Sequence, residues 1–335
     1  MTAGPASSSQ DALLLSRMCW TTLAAMAFAV WISFASLRLR VDPTSNMPLA
    51  MGALAYMAVA LFYSRIRCDR RIAEMLVVIA QLFLALFLGL LLTYAASAVA
   101  LPYRDAELQA LDHWLGFDRA SYVSTIQSIP GLSAILDMAY LSIQPQTALV
   151  PLALLLAHQL PRLQGFIIAL GVSLAITAFV AVFIPAVDAA IHVDLAPYGA
   201  AALAPETYTH VRTLEALRSG AMTVVRLDDL EGLITFPSFH TTNALLFVWA
   251  LWTIKYLRGP IIVLNGLMIA STPTAGSHYF IDVLGGTVVT ILAIVAANWC
   301  RRRASLACED TQIQQDDTVI QQIGYADTQQ PQLAD

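Results

Sequence analysis

The chain has 335 residues, 58% of them hydrophobic and only 12% charged, and its formal net charge is −5. A soluble domain of that length would carry about 25% charged residues, so a soluble globular protein is excluded, and the scattered arginines leave no basic patch for nucleic acid. The apolar residues gather in blocks of roughly 17–25, the length that crosses a hydrocarbon core about 30 Å thick, and the short alternating segments of a β-barrel are absent. The four cysteines show neither a CxxC nor a zinc-like spacing.

In chain order, residues 1–16 are small and polar and read as a disordered tail. Apolar spans then run over 18–37, 47–63, 73–100, 132–157, 165–185, 238–256, 260–275 and 279–299. The expectation is an all-α, polytopic membrane bundle of about eight transmembrane helices. The first block is longer than the apolar core of a signal peptide and reads as a retained span. Pro145 and Pro151 fall within the fourth span and predict a kink there. One transmembrane domain is expected over 17–303, with its chemistry in the part from about 100 to 300. The Gln- and Asp-rich stretch 304–335 has no apolar period and reads as a second disordered tail.

Orientation follows from the basic residues. Arg65, Arg67, Arg70 and Arg71 share one loop, and Arg301, Arg302 and Arg303 follow the last span. Placing both groups in the cytoplasm puts both termini there. The loops 101–131, 186–237 and 271–278 then lie on the outer face, which would be the periplasmic side of a bacterial inner membrane.

Two short stretches on that outer face carry the chemistry. Phe236-Pro237-Ser238-Phe239-His240-Thr241 and Gly276-Ser277-His278-Tyr279-Phe280-Ile281-Asp282 each open an apolar span, where ionisable groups are costly and mark function. His278 and Asp282 stand four residues apart, so a helix brings their side chains to one face. A carboxylate there can fix the imidazole tautomer and leave the other nitrogen free to attack. Pro237-Ser238 reads as a helix start with Ser238 as its cap. The N–H groups of that helix end favour an anion, and His240 beside them can protonate a departing alkoxide. The blander alternatives are a histidine that satisfies a buried carboxylate and a surface histidine beside a cap. The rings should lie within roughly 10 Å of each other if they share one phosphoryl group.

The pattern Pro-Ser-x-His-Thr, followed some 35–40 residues later by His-x-x-x-Asp, resembles the type 2 phosphatidic acid phosphatase (PAP2) superfamily. Phe239 in place of the usual glycine is similar to the branch that includes inositol phosphorylceramide synthases. Leu217-Arg218-Ser219-Gly220, Asn265 and Tyr279 through Gly286 belong to the resemblance, which covers about residues 100–290. It implies that His278 is the nucleophile that becomes phosphorylated, that Asp282 orients it, and that His240 is the general acid and then the base. Ser238 and nearby backbone N–H groups would hold phosphate oxygens. It implies a lipid phosphate substrate in contact with membrane lipids, no cofactor and no metal.

Two departures stand out. The family's Lys-x6-Arg-Pro motif has no match, and Ser271-Thr272 stands where Ser-Arg usually begins the third motif. Phosphoryl charge must be balanced in the transition state, and the outer loops offer Arg218, Arg226 and Arg104 in that order. Other readings are a lipid-binding or transport protein without turnover, and a metal-dependent hydrolase with His240, His278 and Asp282 as ligands. His113, His158, His192 and His210 have no partner at useful spacing, Asp228-Asp229-Glu231 reads as an acidic loop, and Gly285-Gly286 reads as a close helix contact.

Overall fold

The computed structural model describes residues 5–45, 47–191, 209–227 and 230–328. Its elements are α1 (Pro5–Leu37), α2 (Met47–Leu61), α3 (Arg70–Ala98), α4 (Asp105–Trp114), α5 (Arg119–Ser128), α6 (Leu132–Leu141), α7 (Ile143–Leu156), α8 (Leu160–Phe183), α9 (Thr209–Arg218), α10 (Phe239–Leu251), α11 (Arg258–Ser271) and α12 (Phe280–Thr328). Among the described residues the strand content is one parallel pair, with Arg40 opposite Val224 and Val41 opposite Val225. It ties the end of α1 to the segment after α9. The fold is all-α.

α8 is apolar all round, and Leu163 through Gly171 are buried without interruption, as a helix enclosed by others must be. α1, α3 and α12 pack around it, and α10 packs on α7, α8, α11 and α12. One apolar core extends from Leu15 to Ala304. Exposed Met51, Leu54 and Met57 on α2 and Val288, Ile291 and Val295 on α12 suit a lipid surround rather than water.

Among the described residues four helices are long and apolar enough to cross a membrane, over Ala12–Leu37, Arg71–Ala98, Leu160–Phe183 and Phe280–Ala307, and the pair α6–α7 makes a fifth if it is one bent span. The chain is an integral membrane protein. The remaining apolar blocks form shorter helices. α10 has 13 residues and α11 has 14, so each reaches only about 20 Å at 1.5 Å per residue. On length, the described residues thus hold four or five of the about eight transmembrane helices expected. A block's apolar length includes turns that a helix does not. Trp252–Ile254 after α10 and Thr272–Tyr279 after α11 lie outside the α-helices.

The expected kink is a 53° bend between α6 and α7. Pro145, on the first turn of α7, has no N–H for the carbonyl of Leu141 and its ring crowds that carbonyl, so the helix breaks at Ser142. The two tails differ from expectation. α1 begins at Pro5 and α12 runs to Thr328, so the stretches expected to be disordered over 1–16 and 304–335 are helical where they are described. Each extends an existing membrane helix, which removes the cost of nucleation, and Gln and Ala tolerate helix well.

Candidate active site

The starts of α10 and α12 meet at one end of the bundle, and local chemistry explains both. Ser238 is extended (φ −64°, ψ 112°) and its Oγ accepts the N–H of Thr241, so it caps α10 as the sequence implies. His240 falls in the first turn, half-buried. After α11 the chain turns through Thr272–Ser277. The loop closes when Ala275 N–H donates to the Ser271 carbonyl at 2.8 Å and His278 N–H to the Thr272 carbonyl at 3.1 Å.

α12 then starts at Phe280, which makes Asp282 its third residue. Asp282 Oδ2 accepts the N–H of Tyr279 at 3.0 Å, reaching back to the residue before the helix as the acid of a capping box does. The same oxygen lies 3.1 Å from His278 Nδ1. An ionised carboxylate can only accept, so Nδ1 carries the proton and Nε2 presents its lone pair. Both side chains are buried, Asp282 completely.

The two helix starts are sewn together. Ser238 N–H donates to the Asp282 carbonyl at 3.0 Å, and Thr242 Oγ1 donates to the Gly286 carbonyl at 3.1 Å. The His240 and His278 ring centroids stand 6.3 Å apart at 60°, inside the roughly 10 Å limit set by a shared phosphoryl group. That separation is short enough for both rings to contact one phosphoryl group.

Tyr140, from the end of α6, stacks on His240 with centroids 3.8 Å apart at 15°. Gly276 lies against both rings: a Cβ there would meet Tyr140 at 2.6 Å and His278 at 2.9 Å. Tyr140 escapes sequence reasoning because a tyrosine in an apolar span reads as packing.

The three arginines favoured by the sequence have other attachments. Arg218 donates from Nη2 to the Leu101 carbonyl at 2.6 Å and lies over the Tyr103 ring at 3.7 Å. Arg226 pairs with Asp42 at 3.6 Å, and Arg104 with Glu107 at 2.7 Å. An arginine does reach the His278 loop: Arg119 of α5, buried, whose Nε donates to the Pro273 carbonyl at 3.2 Å. Tyr122, from the same helix, donates to the Ala270 carbonyl at 2.7 Å. Arg119 thus touches the residue next to Thr272, where the sequence shows no arginine. Asp118 caps α5 through the N–H of Ser121 and so places Arg119 in the first turn.

The other polar residues sort as follows. Asn265 is fully buried and donates to Gln146 Oε1 at 2.8 Å, joining α11 to α7. His113 and His158 are exposed, whereas His210 has a partner after all, Asp188 at 3.5 Å. His192 and the Asp228-Asp229 pair lie outside the described residues. Among the described residues no three His, Cys, Asp or Glu side chains are grouped to hold a metal.

The site combines an oriented imidazole, a second imidazole whose ring lies 6.3 Å away, and a capped helix start beside them. A family model described as the PAP2 superfamily matches residues 106–296, which include every one of these groups. No curated protein and no solved structure matches the chain.

Proposed function

The chain belongs to the PAP2 superfamily, and from that membership and the site geometry we propose that it is a membrane enzyme that cleaves a lipid phosphoester through a phosphohistidine. The observation that carries this reading is the Asp282–His278 pair facing His240 across 6.3 Å.

In the proposed cycle, Nε2 of His278 attacks phosphorus and the bond to the leaving oxygen breaks. His240 gives that oxygen its proton. His240 then takes a proton from water or an acceptor alcohol, whose oxygen attacks phosphorus and expels His278. Asp282 holds the tautomer throughout and stabilises the imidazolium character that develops on His278. The phosphate oxygens rest on the α10 start, where the Ser238 cap leaves N–H groups of the first turn available. Arg119, which reaches the His278 loop from α5, supplies the positive charge that phosphoryl transfer demands. No step needs a metal. Tyr140 holds His240 by stacking.

The site faces the periplasm in this reading, with both termini cytoplasmic, because the basic loops favour that orientation. α2, α10 and α11 would then cross only part of the bilayer thickness and complete the eight-segment layout with help from neighbouring loops. The Pro-Ser-Phe-His form of the second motif favours the inositol phosphorylceramide synthase-like branch, in which an alcohol replaces water as the acceptor.

The test is phosphate release from short-chain phosphatidic acid in mixed micelles by the purified chain and by His278→Ala and His240→Ala. Both variants should lose activity by about 10³-fold or more, and acid-labile radioactivity from a labelled substrate should appear on the wild type and not on His278→Ala. Wild-type turnover by His278→Ala ends this mechanism. Binding of the lipid without turnover in the wild type would leave a lipid-binding or transport protein of the same architecture.

A further inference from the structure

α4 has one buried face, made by Asp105, Leu108 and Asp112, which are spaced so that a helix aligns them. Two buried carboxylates on a short helix need partners, and both find them at the start of α12. Asp112 Oδ2 accepts the N–H of Phe280 and Oδ1 the N–H of Ile281, each at 2.8 Å. Asp105 Oδ1 accepts the Tyr279 hydroxyl at 3.0 Å and also receives the Val187 N–H. Leu108 packs with Tyr279 and Ile281. Just past α4, Phe117 stacks on Phe280 at 5.0 Å.

Phe280 and Ile281 are the first two residues of α12, and their N–H groups have no partner within the helix. Ordinarily the preceding side chain caps them, but that residue is Tyr279, whose ring points its hydroxyl at Asp105 instead. A carboxylate from a helix about 170 residues earlier in the chain takes both amides. Asp282 is the next residue after this doubly held pair, so its position against His278 follows from where Asp112 holds the turn.

We propose that Asp112 is a positioning residue for the reaction, fixing the first turn of α12 so that Asp282 keeps His278 aimed at the phosphorus. The proposal rests on the reading of His278 as nucleophile. Without the Asp112 oxygens, the half-buried Phe280 and Ile281 amides must seek other acceptors, and the turn shifts or frays. An attacking nitrogen misplaced by about 1 Å slows attack on the order of 10²-fold.

Single-turnover labelling separates positioning from folding. Full-length wild type, Asp112→Ala and Asp112→Asn are mixed with labelled short-chain phosphatidic acid and quenched over time. The amplitude of protein-bound phosphate counts competent sites, and the rate reports attack by His278. Asp69→Ala is the comparator, because it removes the cap of α3 and leaves α12 untouched. The expected result is a retained amplitude for Asp112→Ala with a rate lowered about 10–100-fold. Asp112→Asn, which keeps one acceptor oxygen, should fall between it and the wild type, and Asp69→Ala should keep the wild-type rate.

An unchanged rate with a reduced amplitude in Asp112→Ala overturns the proposal, because Asp112 would then serve folding alone. If Asp112→Ala yields no folded protein, a wild-type rate in Asp112→Asn overturns it equally. Labelling of a His278→Ala control would sink the underlying reading instead.

Discussion

Gly286→Ala perturbs the site without touching a reacting group. Gly286 sits on the second turn of α12 where that helix crosses the start of α10. A Cβ added there would lie 2.4 Å from the Ser238 carbonyl oxygen, with Thr241 Cβ at 3.1 Å and Thr242 Oγ1 at 3.2 Å. Ordinary contact begins at 3.4 Å, so the two backbones must part by about 1 Å, a displacement that can slow a positioned reaction on the order of 10²-fold. The Ser238 carbonyl cannot swing aside cheaply, because it accepts the Thr242 N–H at 3.1 Å and shares the Thr242 hydroxyl proton with the Gly286 carbonyl. The crowding costs about 1–3 kcal/mol of stability. Because Ser238 precedes His240 by two residues, the movement carries His240 away from His278.

Expected for Gly286→Ala is therefore a kcat lower by about 10²-fold and a modestly lower melting temperature. Phosphate release at saturating short-chain phosphatidic acid, with detergent-solubilised protein of verified monodispersity, measures the first. Gly266→Ala on α11 is the control, since a Cβ there meets nothing within 4 Å and the exchange should add about 0.5–1 kcal/mol. A folded Gly286→Ala with kcat within about twofold of the wild type would show that the α10–α12 contact does not set the histidine separation, and the reasoning would fail.

Three further outcomes are expected. Asp282→Asn removes the charge that favours a developing imidazolium and should cut kcat about 10²-fold or more with little change in KM; wild-type kcat would make the Asp282 contact structural only. Arg119→Ala should lose about 10²–10³ in kcat, as removal of a charge-stabilising donor does, and Arg119→Lys should recover only part of it, since an ammonium lacks the guanidinium fork. Activity of both at the wild-type level would assign the charge balance to another cation. Turnover should persist in excess chelator, and a loss restored by one divalent ion would favour the metal-dependent hydrolase.

The kink, the Ser238 cap and the His278–Asp282 pair were legible because each depends on neighbours along the chain. Pro145 acts on a carbonyl four residues back, Ser238 on an amide three residues ahead, and Asp282 on a ring four residues back. Gly285-Gly286 also read correctly as a close helix contact. The number of full-length spans did not follow from hydropathy, because an apolar loop and an apolar helix have the same composition. α10 and α11 stop short of their apolar blocks for that reason. The tails differ because helices already formed by α1 and α12 extend into them, which a disordered-looking composition does not reveal.

The sequence by itself determined an integral membrane, all-helical chain, its family, and the pairing of two histidine motifs with one aspartate. Hydropathy and spacings of three or four residues are local quantities, and the helix turns them directly into burial and contact. Only the tertiary structure decided that the rings stand 6.3 Å apart, that Tyr140 stacks on His240, and that Arg119 and Asp112 are the charges meeting the loop and helix start around His278. These partners lie 38 to 169 residues apart in sequence. Their meeting is set by how helices pack and which buried amides and charges need one another, and no local pattern encodes that.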